Sequence, residues 1–146
     1  SPGKPASKQA GERVLWIRPP RVFVLDDQPI VADSIAAVLN AFGYETYCRY
    51  KPGDILDLAT ELTPDLLISD VALGPNTING FDLAIYFERF YPECRAILIS
   101  GDPNTAELHD RVRRLGREFL LLQKPIHPEA LLGYVNEALK HLRKAA

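Results

Sequence analysis

From Arg21 onward, short apolar runs alternate with stretches whose apolar residues recur every three or four positions. The runs cover residues 21–25 (RVFVL), 45–50 (ETYCRY), 66–69 (LLIS), 95–99 (RAILI) and 119–122 (FLLL). Their length and their apolar, β-branched and aromatic content predict five strands. The spacing after each predicts a helix. Pro29 opens the first, which carries Val31, Ile35, Val38, Leu39 and Phe42 on one face and stops at Gly43. The second spans residues 52–62 with Ile55, Leu58, Ala59 and Leu62 inward, until Pro64 breaks it. The third spans 80–91. The fourth, 104–115, has a thin stripe of Leu108, Val112 and Leu115. The fifth, 128–143, turns Leu131, Tyr134, Val135, Ala138, Leu139 and Leu142 inward.

Strands this continuously apolar are buried on both faces, which requires a parallel sheet with helices on either side. Right-handed crossovers leave few topologies. The expected fold is therefore α/β: a doubly wound, five-stranded parallel sheet of order 2-1-3-4-5, a flavodoxin-like (βα)5 arrangement. Residues 21–146 form that domain. Residues 1–20 are read as a flexible N-terminal arm or linker remnant, because 1–11 are rich in Ser, Pro, Gly, Lys and Ala. The apolar patch at 14–17 either docks on the domain or ends something upstream, and Trp16 is its candidate anchor.

Bulk composition changes this picture little. The chain has 146 residues, 47% apolar and 25% charged, enough for one domain with its own core. A net charge of −2 gives no reason to expect direct nucleic-acid binding. Charge is uneven, however: residues 1–21 hold Lys4, Lys8, Arg13, Arg18 and Arg21 against one acid, Glu12, a basic segment on an acidic domain. It reads as a solvated tail or as a contact for an acidic partner. Arg111, Arg113, Arg114 and Arg117 form a second basic cluster, a solvated face or a partner surface. No stretch approaches the roughly 20 apolar residues that span a bilayer, so membrane insertion is not expected. Cys48 and Cys94 have no CxxC or His/Cys companions, which argues against zinc and suits free thiols in a reducing cytoplasm, the expected location. His109, His127 and His141 show no catalytic pattern.

The chemistry lies where apolar runs stop. Asp26-Asp27 follow the first run, Asp70 the third, Ser100 the fourth and Lys124-Pro125 the fifth. Nothing comparable follows the second, an edge strand in the 2-1-3-4-5 order. Singly, these pieces have ordinary uses: an Asp caps a helix and a Ser-Gly fills a turn. Together they converge on the carboxyl edge, where doubly wound sheets bind ligands. Three adjacent carboxylates repel one another, and a divalent cation such as Mg²⁺ relieves that repulsion. One Asp can then serve as nucleophile toward a phosphoryl donor while the acid pair holds the metal. The lysine and the Ser100 hydroxyl would support the transferred group.

The pieces VFVLDDQP, LLISDVAL, NGFDLA, AILISGD and LLLQKPIHPEALL make the chain resemble the receiver domain of two-component response regulators, over about residues 21–143. The resemblance implies Asp70 as phosphoacceptor. It implies Mg²⁺ held by Asp26, Asp27, Asp70 and the backbone carbonyl of Ala72, with Ser100 as switch hydroxyl, Lys124 paired to the phosphoryl group and a cis bond before Pro125. It further implies a sensor histidine kinase or histidine phosphotransfer protein as donor. A homodimer or a downstream protein would read the change on the helix 4, strand 5 and helix 5 face. Such a domain is a regulatory phosphoacceptor rather than an enzyme, with self-catalysed phosphotransfer and slow autodephosphorylation. Two features depart from the family pattern. The loop DVALGPNTING is about two residues longer than usual, and Leu121 stands where a switching Tyr or Phe is common. They keep open an alternative, a phosphorylation-independent pseudo-receiver that acts as an interaction module. A hydrolase or flavin protein on the same sheet is opposed by the lack of a glycine-rich phosphate cradle after the first strand. No second domain is read after residue 143, which fits a stand-alone receiver or a piece of a larger protein.

Overall fold

The computed structural model describes residues 15–102 and 105–145. Its elements run β1 (Arg21–Leu25), α1 (Pro29–Ala41), β2 (Glu45–Arg49), α2 (Pro52–Ala59), β3 (Leu66–Asp70), α3 (Gly80–Phe90), β4 (Arg95–Ser100), α4 (Thr105–Arg114), β5 (Leu120–Gln123) and α5 (Pro128–Ala138), then a 3₁₀ turn at Lys140–Leu142. All strand pairs are parallel and the order is β2-β1-β3-β4-β5. This is the doubly wound arrangement that the apolar runs predict.

Alternation along each strand divides the core. Val22, Val24, Leu66, Ile68, Ile97 and Ile99 face α1 and α5, where Leu39, Leu131 and Val135 close the layer. Phe23, Leu25 and Leu67 face the opposite side, against Ile55, Leu83 and Phe87 of α2 and α3. A third cluster joins Leu98 to Phe81 and Val112, with Leu121 and Phe119 packed against it. Helix starts follow local chemistry. Proline occupies the first turn of α1, α2 and α5. Asn79 and Asp82 form a reciprocal capping box on α3.

Three residues assigned inward by periodicity lie outward. Phe42 is 62% exposed because it caps α1, where the backbone has left helical geometry; Tyr44 is buried in its stead. Leu115 is 72% exposed because α4 ends at Arg114 and the chain turns through Gly116 at positive φ. Tyr134 is 42% exposed because the buried stripe of α5 runs through Leu131, Leu132 and Val135. α2 also stops three residues early, at Ala59.

Residues 15–20 pack on the domain. Ile17 N–H donates to Leu142 O (2.8 Å) and Lys144 N–H to Leu15 O (2.8 Å), an antiparallel bridge that pairs Trp16 with Arg143. The Trp16 ring lies 5.6 Å from that of Tyr44. Arg18 donates two bonds to Asp65, at 2.6 and 2.7 Å. The remainder of the expected arm, residues 1–14, lies outside the described residues, as does Asn104, the expected start of the fourth helix. Among the described residues no helix is long and apolar enough to cross a membrane.

Candidate functional site at the carboxyl edge of the sheet

β1, β3, β4 and β5 are consecutive neighbours, so their carboxyl ends lie side by side. Asp26 and Asp27 follow β1, Asp70 and Ser100 end β3 and β4, and Lys124 follows β5. The register seats Asp70 beside Ile99 and Ser100 beside Gln123, and Lys124 N–H donates to Ser100 O at 2.8 Å. Backbone pairing alone thus brings the acids, the hydroxyl and the ammonium to one edge.

Asp26, Asp27 and Asp70 each offer a carboxylate oxygen within 4.8 Å of the others. Asp26 is fully buried, Asp70 nearly so, and Asp27 is exposed. Gln28 N–H donates to Asp26 Oδ1 at 2.9 Å, which fixes that carboxylate. Lys124 Nζ donates to Asp26 Oδ2 at 2.9 Å and lies 3.3 Å from Asp70 Oδ2. Burial, and next the Asp26 charge, push the Asp70 carboxyl up to about 6; Lys124 pulls it down and Asp27 adds to the rise. Burial works against the Lys124 ammonium, but its bond to Asp26 and the Asp70 and Asp26 charges outweigh that and raise its pKa.

An open cavity of about 610 Å³ lies over this cluster, lined by Asp27, Gln28, Asp70, Ala72, Ser100 and Lys124 among others. Three carboxylates against one ammonium leave an excess of negative charge, and that repulsion adds to burial, the larger cause, in raising the pKa of Asp70. A donor set of oxygens only, open to water on one side, fits a hard cation that keeps part of its hydration. The Lys124–Pro125 peptide is cis.

Ser100 is 1% exposed. Asp102 N–H donates to its Oγ at 3.0 Å, and that oxygen lies 3.2 Å from Asp102 O. Its third partner is the buried hydroxyl of Thr105, the first residue of α4. Leu121, at the atypical position, is half-buried against the third core cluster. The nearby aromatic is Phe119, whose ring centroid is 6.4 Å from that of Phe81.

Two residues of this region were not singled out by sequence. Thr105 is one; a threonine opening a helix is too common to mark a partner for Ser100. Gly80 is the other. Its N–H donates to Val71 O at 2.8 Å, and a Cβ built on it would lie 2.3 Å from Asp70 O. The Asn-Gly ahead of an apolar helix signals a helix start but not this contact.

A second cavity, of about 600 Å³, shares Gly101 and Lys124 with the first. Its wall is largely apolar, from Ile30, Ile35, Ile126 and Leu131, and Ile30 is 78% exposed.

Comparison with known proteins agrees with this fold. The chain is 26% identical over 123 residues to the nitrogen assimilation regulatory protein NtrX of Azorhizobium caulinodans, covering 84% of this chain and 26% of that protein. It spans about a quarter of that relative's length. The signal receiver domain of an HD domain-containing protein from Pseudomonas fluorescens superposes with a TM-score of 0.76 at 26% identity, over 86% of this chain and 98% of that one. A CheY-like response regulator receiver domain protein from Methanospirillum hungatei gives a TM-score of 0.74 at 24% identity, over 86% and 97%. The response regulator receiver domain family itself matches residues 22–136, all of the sheet but Arg21 and all of the helices but the end of α5, and the chain belongs to that family.

Proposed function

We propose that this domain is a phosphorylation-controlled switch whose phosphoacceptor is Asp70. The observation that carries the reading is the juxtaposition of Asp70 with Asp26, Asp27 and Lys124 at one open edge. A carboxylate oxygen of Asp70 attacks the phosphorus of a phosphohistidine on a sensor kinase or histidine phosphotransfer protein. The new P–O bond forms as the P–N bond breaks, and the imidazole leaves with the electron pair and takes up a proton. Lys124 is already bonded within the cluster and supplies a positive charge toward the added oxygens. Asp26, Asp27, Asp70 and the Ala72 carbonyl would hold Mg²⁺, which when bound offsets the charge of the transferring group. The apolar cavity beside the site, with exposed Ile30, suits docking of the donor.

The added charge then biases a two-state equilibrium that partners read on the α4, β5 and α5 face. The protein acts as a regulator, in the cytoplasm, and any phosphotransfer or autodephosphorylation serves that role. Because the chain spans 26% of its NtrX relative, a further effector segment or a separate protein reads the output. The complete acid cluster does not favour a phosphorylation-independent module.

Incubation with acetyl phosphate and Mg²⁺ should add one phosphoryl group, seen by intact-protein mass spectrometry. Asp70→Asn should add none. Equal labelling of that variant at the same position overturns the assignment.

A further inference from the structure

We infer that Thr105 is the resting-state latch of the switch, a positioning residue that holds Ser100 away from phosphoryl recognition and couples it to α4. The inference rests on Asp70 as phosphoacceptor. Ser100 Oγ accepts from Asp102 N–H, approaches Asp102 O and shares a hydrogen bond with Thr105 Oγ1. A serine hydroxyl has one proton and two lone pairs. With Thr105 donating, Ser100 accepts twice and gives its proton to Asp102 O, so its capacity is full.

A phosphoryl oxygen can only accept. To engage one, Ser100 must withdraw its proton from Asp102 O, and in the latch its oxygen also turns away from Thr105 as it does so. Thr105 is 5% exposed, so its hydroxyl is then buried without a partner among the described residues. That state is costly, and a shift of the first turn of α4 relieves it.

The rest of α4 is anchored lightly enough to respond. Thr105, His109 and Val112 share its inner face at i, i+4 and i+7. His109 stacks on Phe81, centroids 5.6 Å apart and planes 22° apart. Its Nε2 is buried and finds no hydrogen-bond partner among the described residues. Below it Val112 is buried, while Leu115 is already in solvent. Phe81 in turn follows Gly80, which abuts Asp70. With Leu121 in place of a ring on β5, the route from Ser100 to the surface runs along the inner face of α4.

The test measures binding of beryllium fluoride with Mg²⁺ to the full chain by titration calorimetry, with amide hydrogen exchange over residues 105–114. Thr105→Val keeps the shape and removes the hydroxyl. It should bind about fivefold to tenfold more tightly than wild type, the equivalent of one ordinary hydrogen bond. Thr105→Ser should restore wild-type affinity, which a mere packing role would not. In wild type, beryllium fluoride should speed exchange in α4, and Thr105→Val should show the faster exchange without it. Unchanged or weaker binding by Thr105→Val overturns the latch while leaving the phosphoacceptor reading intact. Unchanged α4 exchange in activated wild type overturns it without any variant. If wild type binds no beryllium fluoride, the phosphoacceptor reading falls and the latch with it.

Discussion

Gly80 packs its Cα against the carbonyl of Asp70 so closely that a methyl group there would sit 2.3 Å from the oxygen. The neighbour is backbone, which cannot swing aside like the tip of a flexible side chain. Gly80→Ala must therefore displace either the start of α3 or the end of β3. We expect a loss of roughly 2–3 kcal/mol in urea unfolding, at the upper end of overpacking effects. Beryllium fluoride binding should weaken in the same variant, since the displaced carbonyl belongs to Asp70. Unfolding indistinguishable from wild type would show that the loop absorbs the methyl group.

The raised pKa of Asp70 sets a sign for pH dependence. Its value near 6 in the fold lies above the ordinary 3.8. Between those values the folded state holds more protons than the unfolded one, so this group's contribution to stability falls as pH rises. Above pH 6 the penalty is complete, on the order of 2–3 kcal/mol for a nearly buried carboxyl. Asp70→Asn should thus stabilise the metal-free protein at pH 7.5. The gain should shrink toward zero by pH 4, as thermal melts at both pH values would show. Mg²⁺ should raise the melting temperature of wild type more than that of Asp70→Asn.

The strands are legible in the sequence because an abrupt change from apolar to polar marks both their burial and their ends, which places Asp26, Asp70 and Lys124 on one edge. Phe42 and Leu115 were mis-phased for a specific reason. The apolar period continues in the sequence past helix ends whose chains turn at Gly43 and Gly116 with positive φ. Contacts between distant segments leave weaker traces. Arg18 and Asp65 are 47 positions apart, and neither stands in a motif. Thr105 gains meaning only because the turn after β4 brings its hydroxyl to Ser100.

Lys124 is the cation between Asp26 and Asp70, and Asp26 is fully buried. Lys124→Met keeps much of the stem but strands a buried carboxylate, at a cost of about 3 kcal/mol near neutral pH. The ammonium does not titrate between pH 5 and 8, because its raised pKa confines any loss to alkaline solution. The difference between variant and wild type should still narrow toward pH 5, where Asp70 takes up a proton. Millimolar Mg²⁺ should recover part of the loss, because a divalent cation supplies the missing charge. Chemical denaturation with and without the metal measures both effects, and a variant indifferent to Mg²⁺ would count against a cation site.

Arg18 ties residues 15–20 to the domain through its paired bonds to Asp65, which also accepts Arg21 N–H at 2.7 Å. Burial draws the Asp65 carboxyl upward, but the Arg18 bonds, the Arg21 N–H and both guanidinium charges outweigh it and hold it below its ordinary value. A depressed acid stabilises the fold above its unfolded pKa and loses that contribution as pH falls through its folded value. Arg18→Ala should therefore cost more at pH 7 than at pH 3. Because the Arg18 side chain is 54% exposed, the expected loss is only about 1 kcal/mol. Trp16, the only tryptophan in the chain, packs on Tyr44 two residues before Arg18, so its emission should shift to the red as the segment loosens. A double-mutant cycle with Asp65→Ala isolates the pair, and strictly additive losses would mean that the bridge at Leu15 and Ile17 and the packing of Trp16 hold the segment without it.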